Sequence, residues 1–336
     1  MSELKRICIV GAGAIGGWMG ALIGHRLGAE VRLSVLARGH TLEAVRSHGL
    51  RMDIGGERLV VPAHASSDPG DLGPQDLVVL SVKAPALATV APIVHRLLGP
   101  QTKVLVAMNG VPWWFFDGLD GEARGLRLES VDPGGAIAEL IPAERVIGCV
   151  VHASCTTPEP GLVRHVMGNG LILGAPAGGQ PDWLAPWVDL LGRAGFAASA
   201  SARIQRDVWY KLWGNMTTNP MSALTGATTD RLLEDELLVR FATTIMEEAA
   251  AIGERIGCAV GQTPQDRHAI TRKLGSFKTS MLQDAEAGRP LELDALLGAV
   301  REIGQHLAMP TPYTDALLGL ARVYARQRGL LSGSTA

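Results

Sequence analysis

Residues 7–24 read ICIVGAGAIGGWMGALIG, and the reading of this stretch decides the fold. It carries no charge over eighteen positions, close to the lower limit for a helix that spans a membrane. However, glycine occupies positions 11, 13, 16, 17, 20 and 24, and the segment changes character at Gly11. Ile7–Val10 is a short, continuous apolar run of the kind a parallel sheet buries on both faces. A helical stretch follows from Ala14 to Leu27. A buried strand turning through glycine into a helix accounts for all of this, and a membrane span does not.

The glycine spacing adds chemistry to that reading. Gly11-x-Gly13-x-x-Gly16 follows a strand and opens a helix, the arrangement a dinucleotide site uses. Gly11 permits the tight turn, Gly13 lets backbone approach a pyrophosphate, and Gly16 lets the helix lie close to the sheet. Ala12, Ala14 and Ile15 complete the loop, and the helix N-terminus offers free N–H groups to phosphate. At the end of the second strand a site for NAD usually places a carboxylate that accepts from the ribose 2′-hydroxyl. Here the strand ends Val35-Leu36-Ala37-Arg38-Gly39-His40, and Glu30 lies before it. The Arg38 guanidinium suits a 2′-phosphate, so the expected cofactor is NADP.

Working outward, apolar runs at 31–36, 77–82 and 104–108 alternate with helical stretches, which predicts a doubly wound parallel sheet. Segments 144–154 and 170–176 read as further strands at an edge of that sheet. Lys83 and Asn109-Gly110 follow two of the strands. Ligands gather at the carboxyl ends of strands in such sheets, so both are expected to face the cofactor. After about residue 200 the pattern turns helical, as in the run 232–257. The expected division is a dinucleotide-binding domain at 1–200 and an all-helical domain at 201–336.

Composition narrows the function. The chain has 336 residues, 47% hydrophobic and 19% charged, enough for a sizeable core. Lys and Arg number 31 against 33 Asp and Glu, a net charge of -2, which argues against nucleic acid or an anionic membrane as the main partner. Cys8, Cys149, Cys155 and Cys258 form neither a disulfide framework nor a zinc pattern. No metal is expected, and a reducing cytoplasm is the simplest location. Glu3, Lys5 and Arg6 lead directly into the first strand with no cleavage site after them.

Residues 209–220 read WYKLWGNMTTNP. On a helix Lys211, Asn215 and Asn219 share one face, while Trp209, Trp213 and Met216 anchor another. A lysine and two amides make a poor core face and a good grip for a small oxo acid. A solvated polar stripe is the alternative. Further on, Lys278–Asp284 precedes Leu291-Glu292-Leu293-Asp294, where Glu292 stands at a helix start between apolar neighbours. It is either functional or a first-turn carboxylate held by the helix dipole. Asp284 and Glu286 read as surface charges.

These pieces together resemble the ketopantoate reductase (2-dehydropantoate 2-reductase) family of the 6-phosphogluconate-dehydrogenase-like group. The matching segments are GAGAIG (11–16), Arg38, SVKA with Lys83, MNG with Asn109, VHA ending at Ala153, KLWGNMTTNP, TSMLQD and LELD with Glu292, in family order. The resemblance implies an N-terminal Rossmann domain, a helical C-terminal domain and a substrate cleft between them. It also implies hydride transfer from NADPH to a 2-oxo acid. Lys211 would be the proton donor, and Asn215, Asn219 and Ser280 would hold substrate. Glu292 would contact cofactor or orient the catalytic centre, and Lys83, Asn109 and Ala153 would line the NADPH site.

The chain departs from the family at Val111-Pro112-Trp113-Trp114-Phe115-Phe116, at Leu297 and at Thr229, which leaves room for a bulkier or more apolar 2-oxo acid. A dehydrogenase for a related hydroxy acid and a non-catalytic NADP sensor are the other readings. The retained lysine and asparagines argue against the sensor. The protein is expected as a monomer or homodimer.

Overall fold

The computed structural model describes residues 4–331. By their contacts the residues fall into two units, 1–108 with 136–204, and 109–135 with 205–336. The sequence reading put all of 1–200 in one domain, yet segment 109–135 packs with the helices. Its aromatic side chains are buried there, and its backbone bonds to Ala295 and Glu302.

In the first unit the strands are β1 (Lys5–Val10), β2 (Val31–Leu36), β3 (Leu50–Ile54), β4 (Glu57–Val61), β5 (His64–Ser66), β6 (Gln75–Leu80), β7 (Leu98–Val106), β8 (Val146–Glu159), β9 (Leu162–Gly174) and β10 (Ala197–Ala200). They form one sheet in the order β4-β3-β9-β8-β7-β6-β1-β2-β5, with β10 also on β9. The stretch from β7 through β5 is parallel, as expected. β8 and β9 are not at an edge, because the β3–β4 hairpin pairs beyond them through β9. That hairpin escaped the sequence reading. Its signal is Gly55-Gly56, both at positive φ (59° and 87°), the conformation a two-residue hairpin turn needs.

The helices of this unit are α1 (Ala14–Leu27), α2 (Gly39–His48), α3 (Pro69–Leu72), α4 (Leu87–His95), α5 (Ala136–Leu140) and α6 (Ala185–Arg193). α1 explains the charge-free stretch. Every residue from Gly16 to Ile23 is buried, so this part of the helix has no solvent face. The sheet curls around it, and glycine marks each close approach. A Cβ on Gly17 would lie 2.6 Å from Val163 on β9, one on Gly20 2.8 Å from Leu50 on β3, and one on Gly24 2.3 Å from Val61 on β4. Glycine inside a helix costs about 1 kcal/mol relative to alanine; here it lets three strands reach the helix backbone. Among the described residues no helix is long and apolar enough to cross a membrane.

The second unit is built from α7 (Ile204–Thr225), α8 (Thr229–Glu234), α9 (Glu236–Arg255), α10 (Pro264–Arg272), α11 (Ser280–Glu286), a π turn at Asp294–Gly298, α12 (Ala299–His306) and α13 (Pro312–Gln327). The helical run 232–257 is split at Asp235, whose carboxylate accepts from the N–H groups of Leu237 and Leu238 at 3.0 and 2.9 Å and starts α9.

Candidate active site

The first unit shapes a phosphate cradle from the glycine loop. Gly11 has φ 92°, open to glycine at little cost, and a Cβ there would meet Val82 at 2.8 Å. A Cβ on Gly16 would lie 2.2 Å from both the Gly11 carbonyl oxygen and the Ser81 hydroxyl. Gly13 is different. It is exposed, and its Cβ would meet nothing within 4 Å. The first turn of α1 has no acidic residue and no side-chain cap, so its N–H groups and dipole are left for an anion. The loop therefore fits a dinucleotide pyrophosphate.

Ser81, unassigned by the sequence reading, braces this loop. Its hydroxyl donates to the Gly11 carbonyl at 2.9 Å and its N–H to the Val10 carbonyl at 3.0 Å. The signal was its place at the end of a strand that pairs with β1. Arg38 lies two residues past the end of β2, which runs parallel to β1 with Val10 opposite Leu36. It is exposed and makes no ion pair or hydrogen bond through its side chain to a described residue. Lys83 lies three residues past β6 and is half-buried. Ala153 sits at the irregularity in β8 where the pairing with β9 shifts between His152 and Ser154.

In the second unit, α7 presents the polar face that its sequence predicts. Trp209, Trp213 and Met216 are fully buried, and the Trp213 indole N–H donates to the Met246 carbonyl at 2.7 Å. Lys211 and Asn215 are half-buried on the other side. Asn219, one turn on, is only 7% exposed. Neither asparagine amide bonds to a described residue. Both amides are therefore available to donate to and accept from a ligand.

The segments that carry Asn109 and Glu292 approach each other in the same unit, at Gly110-Val111 and Ala295. Gly110 has φ 84°, and a Cβ there would lie 2.6 Å from the Ala295 carbonyl oxygen. That oxygen accepts from Val111 N–H at 2.9 Å. Glu292 is 5% exposed between buried Leu291 and Leu293, and leads into the π turn, a feature frequent at functional sites. Ser280 heads α11, behind the capping hydroxyl of Thr279. The set named from the sequence thus divides: Gly11–Gly16, Arg38, Lys83 and Ala153 in the first unit, and Asn109, Lys211, Asn215, Asn219, Ser280 and Glu292 in the second.

One surface assignment is corrected. Asp284 is 3% exposed, and its carboxylate accepts from Arg289 Nε at 2.9 Å. It lies one turn after Ser280 on α11, where the helix turns inward. Glu286 is on the surface, paired with Lys278 at 2.7 Å.

The departures from the family pattern lie in packing. Trp113, Trp114, Phe115 and Phe116 are all buried, and the Phe115 ring lies 6.0 Å from that of Trp209. Leu297 is 0% exposed. Thr229 is buried, with its hydroxyl donating to the Gly275 carbonyl at 2.9 Å and its N–H to Phe277 at 3.0 Å. Phe115 supports α7 from the side opposite Lys211. Phe115→Ala is therefore expected to cost about 3–5 kcal/mol of stability while leaving the ratios of kcat/KM among 2-oxo acids unchanged. Chemical denaturation and a substrate panel check both halves; a reordered panel with stability intact would place Phe115 in the pocket.

Comparison with known proteins accounts for both units. Residues 7–113 match the family model described as ketopantoate reductase PanE/ApbA, and residues 203–325 match its C-terminal counterpart. The 2-dehydropantoate 2-reductase of Mesorhizobium japonicum is 44% identical over 327 residues, covering 97% of this chain and all of that one.

The chain belongs to the ketopantoate reductase family.

Solved structures agree. A protein of Ralstonia solanacearum MolK2 described as a ketopantoate reductase superposes with a TM-score of 0.93 at 53% identity, over 98% of this chain and 100% of that one. D-mandelate dehydrogenase in a ternary complex with NADH and anilino(oxo)acetate shares the fold, with a TM-score of 0.82 at 21% identity, over 97% and 99% of the two chains. Membership in this family of ketopantoate reductases makes the chain an oxidoreductase of the CH–OH class that uses a nicotinamide cofactor. Since the fold also serves a protein solved with NADH, the choice of dinucleotide rests on side chains.

Proposed function

We propose that the chain reduces 2-dehydropantoate (ketopantoate) to pantoate, with NADPH as the hydride donor. The observation that carries this reading is the face of α7, where Lys211, Asn215 and Asn219 line up on a helix anchored by two buried tryptophans. When bound, reduced nicotinamide supplies a hydride to the carbonyl carbon. The C=O π pair then moves onto oxygen, and the Lys211 ammonium stabilises that charge and gives up a proton to complete the hydroxyl. Asn215, Asn219 and Ser280 hold the carboxylate and hydroxyl groups of the substrate. Glu292 contacts cofactor or orients the centre, and Gly11–Gly16, Lys83, Asn109 and Ala153 bind the dinucleotide.

Ketopantoate is favoured over a bulkier acid because the aromatic run, Leu297 and Thr229 are spent on packing. In a panel of 2-oxo acids ketopantoate should give the highest kcat/KM. A larger aromatic 2-oxo acid outrunning it would overturn the assignment. NADPH is favoured over NADH by the exposed Arg38 at the tip of β2, whose side chain pairs with no described residue. Arg38→Gln should narrow the NADPH-to-NADH ratio of kcat/KM by about tenfold or more, the loss of one charge-assisted contact of ~1.4 kcal/mol or above. An unchanged ratio would remove Arg38 from that role. The cytoplasm is the proposed location.

A further inference from the structure

Gly214 stands on α7 between Lys211 and Asn215, inside a helix of 22 residues, where glycine weakens the helix. What it permits is a close approach by Arg267 of α10. A Cβ on Gly214 would lie 2.5 Å from Nε and 2.7 Å from Cζ of Arg267. The guanidinium therefore rests on bare backbone, and Gly214 is buried beneath it. Tyr210 fixes the same head group. Arg267 Cζ lies 5.2 Å from the centre of the Tyr210 ring, and Nη1 donates to the Tyr210 hydroxyl at 3.3 Å. That hydroxyl donates in turn to Gln262 Oε1 at 2.8 Å. Arg267 thus covers the turn from Tyr210 to Gly214, the turn to which Lys211 belongs.

The charge on this head group is not neutralised from within. Arg267 is half-buried, and among the described residues no carboxylate pairs with it. Its Nε is buried with no hydrogen-bond partner, a cost to the fold. Asp266, its neighbour in sequence, is engaged at the cap of α10, accepting from the Thr263 N–H at 3.1 Å and from the Thr263 hydroxyl at 2.7 Å. Nη2 of Arg267 bonds to no described residue, so its donors and the charge remain for a ligand. The oxo-acid site has the complementary need. Lys211 acts on the carbonyl oxygen, and Asn215, Asn219 and Ser280 are neutral, so the substrate carboxylate lacks a cation of its own. We propose that Arg267 is that cation, its guanidinium seated on Gly214 to bind the carboxylate of the 2-oxo acid. The proposal rests on the reading of the α7 face as the substrate site.

The test is steady-state kinetics of the intact protein with ketopantoate at saturating NADPH. Arg267→Met keeps an unbranched stem beside Tyr210 and removes the charge. It should raise the KM for ketopantoate by about tenfold or more, the effect of one hydrogen bond to a charged group. A contact made equally in ground and transition states enters KM alone, so kcat should change little, and the Kd for NADPH should hold. Arg267→Lys, which keeps the charge without the fork, should give a KM between those of wild type and Arg267→Met. Gly214→Ala displaces the guanidinium without removing it. It should also raise KM, while the thermal midpoint holds or rises, because alanine is the better helix former. A KM unchanged in Arg267→Met, an Arg267→Lys variant as impaired as Arg267→Met, or a fall in kcat with KM unmoved would each overturn the proposal and leave the α7 reading intact. A wild type that does not turn over ketopantoate would instead overturn that reading, and the proposal with it.

Discussion

Lys211→Ala is expected to lower kcat by about a hundredfold or more, the usual contribution of a general acid, while the Kd for NADPH stays within about twofold of wild type. The asymmetry follows from placement. Lys211 stands on α7 with Asn215 and Asn219, in the unit that does not contain the glycine loop. Its loss removes proton donation and stabilisation of the forming alkoxide, both of which matter most in the transition state. The α7 helix itself should survive, because Trp209, Trp213 and Met216 hold it on the opposite side. Stopped-flow single turnovers combined with fluorescence titration of NADPH separate the two effects. Turnover close to wild type would eliminate Lys211 as the proton donor.

Gly16→Ala should act on the other half of the reaction. The added Cβ would fall 2.2 Å from the Gly11 carbonyl oxygen and from the Ser81 hydroxyl, a separation no real contact allows. Ser81 can rotate away, but the Gly11 carbonyl is backbone, so the loop or the start of α1 must shift. Overpacking of this kind costs about 1–3 kcal/mol of stability. Displacing the loop should also raise the Kd for NADPH by about tenfold or more, ~1.4 kcal/mol of binding. Gly13→Ala is the contrasting variant. Its Cβ points into open space, so the protomer should keep its stability and lose affinity only through collision with the phosphates. Equal stability and equal affinity for Gly16→Ala and wild type would mean that the close approach of α1 to the loop is unimportant.

The first strand, the glycine loop and α1 were legible because three constraints coincide in eighteen residues: an apolar strand, a turn that needs glycine, and a helix with no exposed face. Gly11 answers to the turn and Gly16 to the close approach of α1 to the loop, as their spacing implied. Gly17, Gly20 and Gly24 answer instead to β9, β3 and β4, strands far along the chain, and no local pattern announces such partners. The same limit explains the misplaced β8–β9 pair, whose neighbour β3 is about a hundred residues away.

The polar face of α7 was legible from its period. The burial of Asp284 was not, because its partner Arg289 lies beyond the end of its own helix, across a turn. The aromatic run at 113–116 misled for a related reason. It follows the end of a strand, but all four side chains are buried and the Phe115 ring lies against Trp209, which only the packing of α7 reveals.

The central claim is that hydride passes from NADPH to the 2-oxo carbon of ketopantoate. The most direct test supplies wild-type protein with ketopantoate and NADPH carrying deuterium at both C4 positions, then examines the product by mass spectrometry and NMR. The account predicts pantoate bearing one deuterium, located at C2, formed in equal amount to the NADPH consumed. Pantoate without the label, or NADPH oxidation with no pantoate formed, would contradict it.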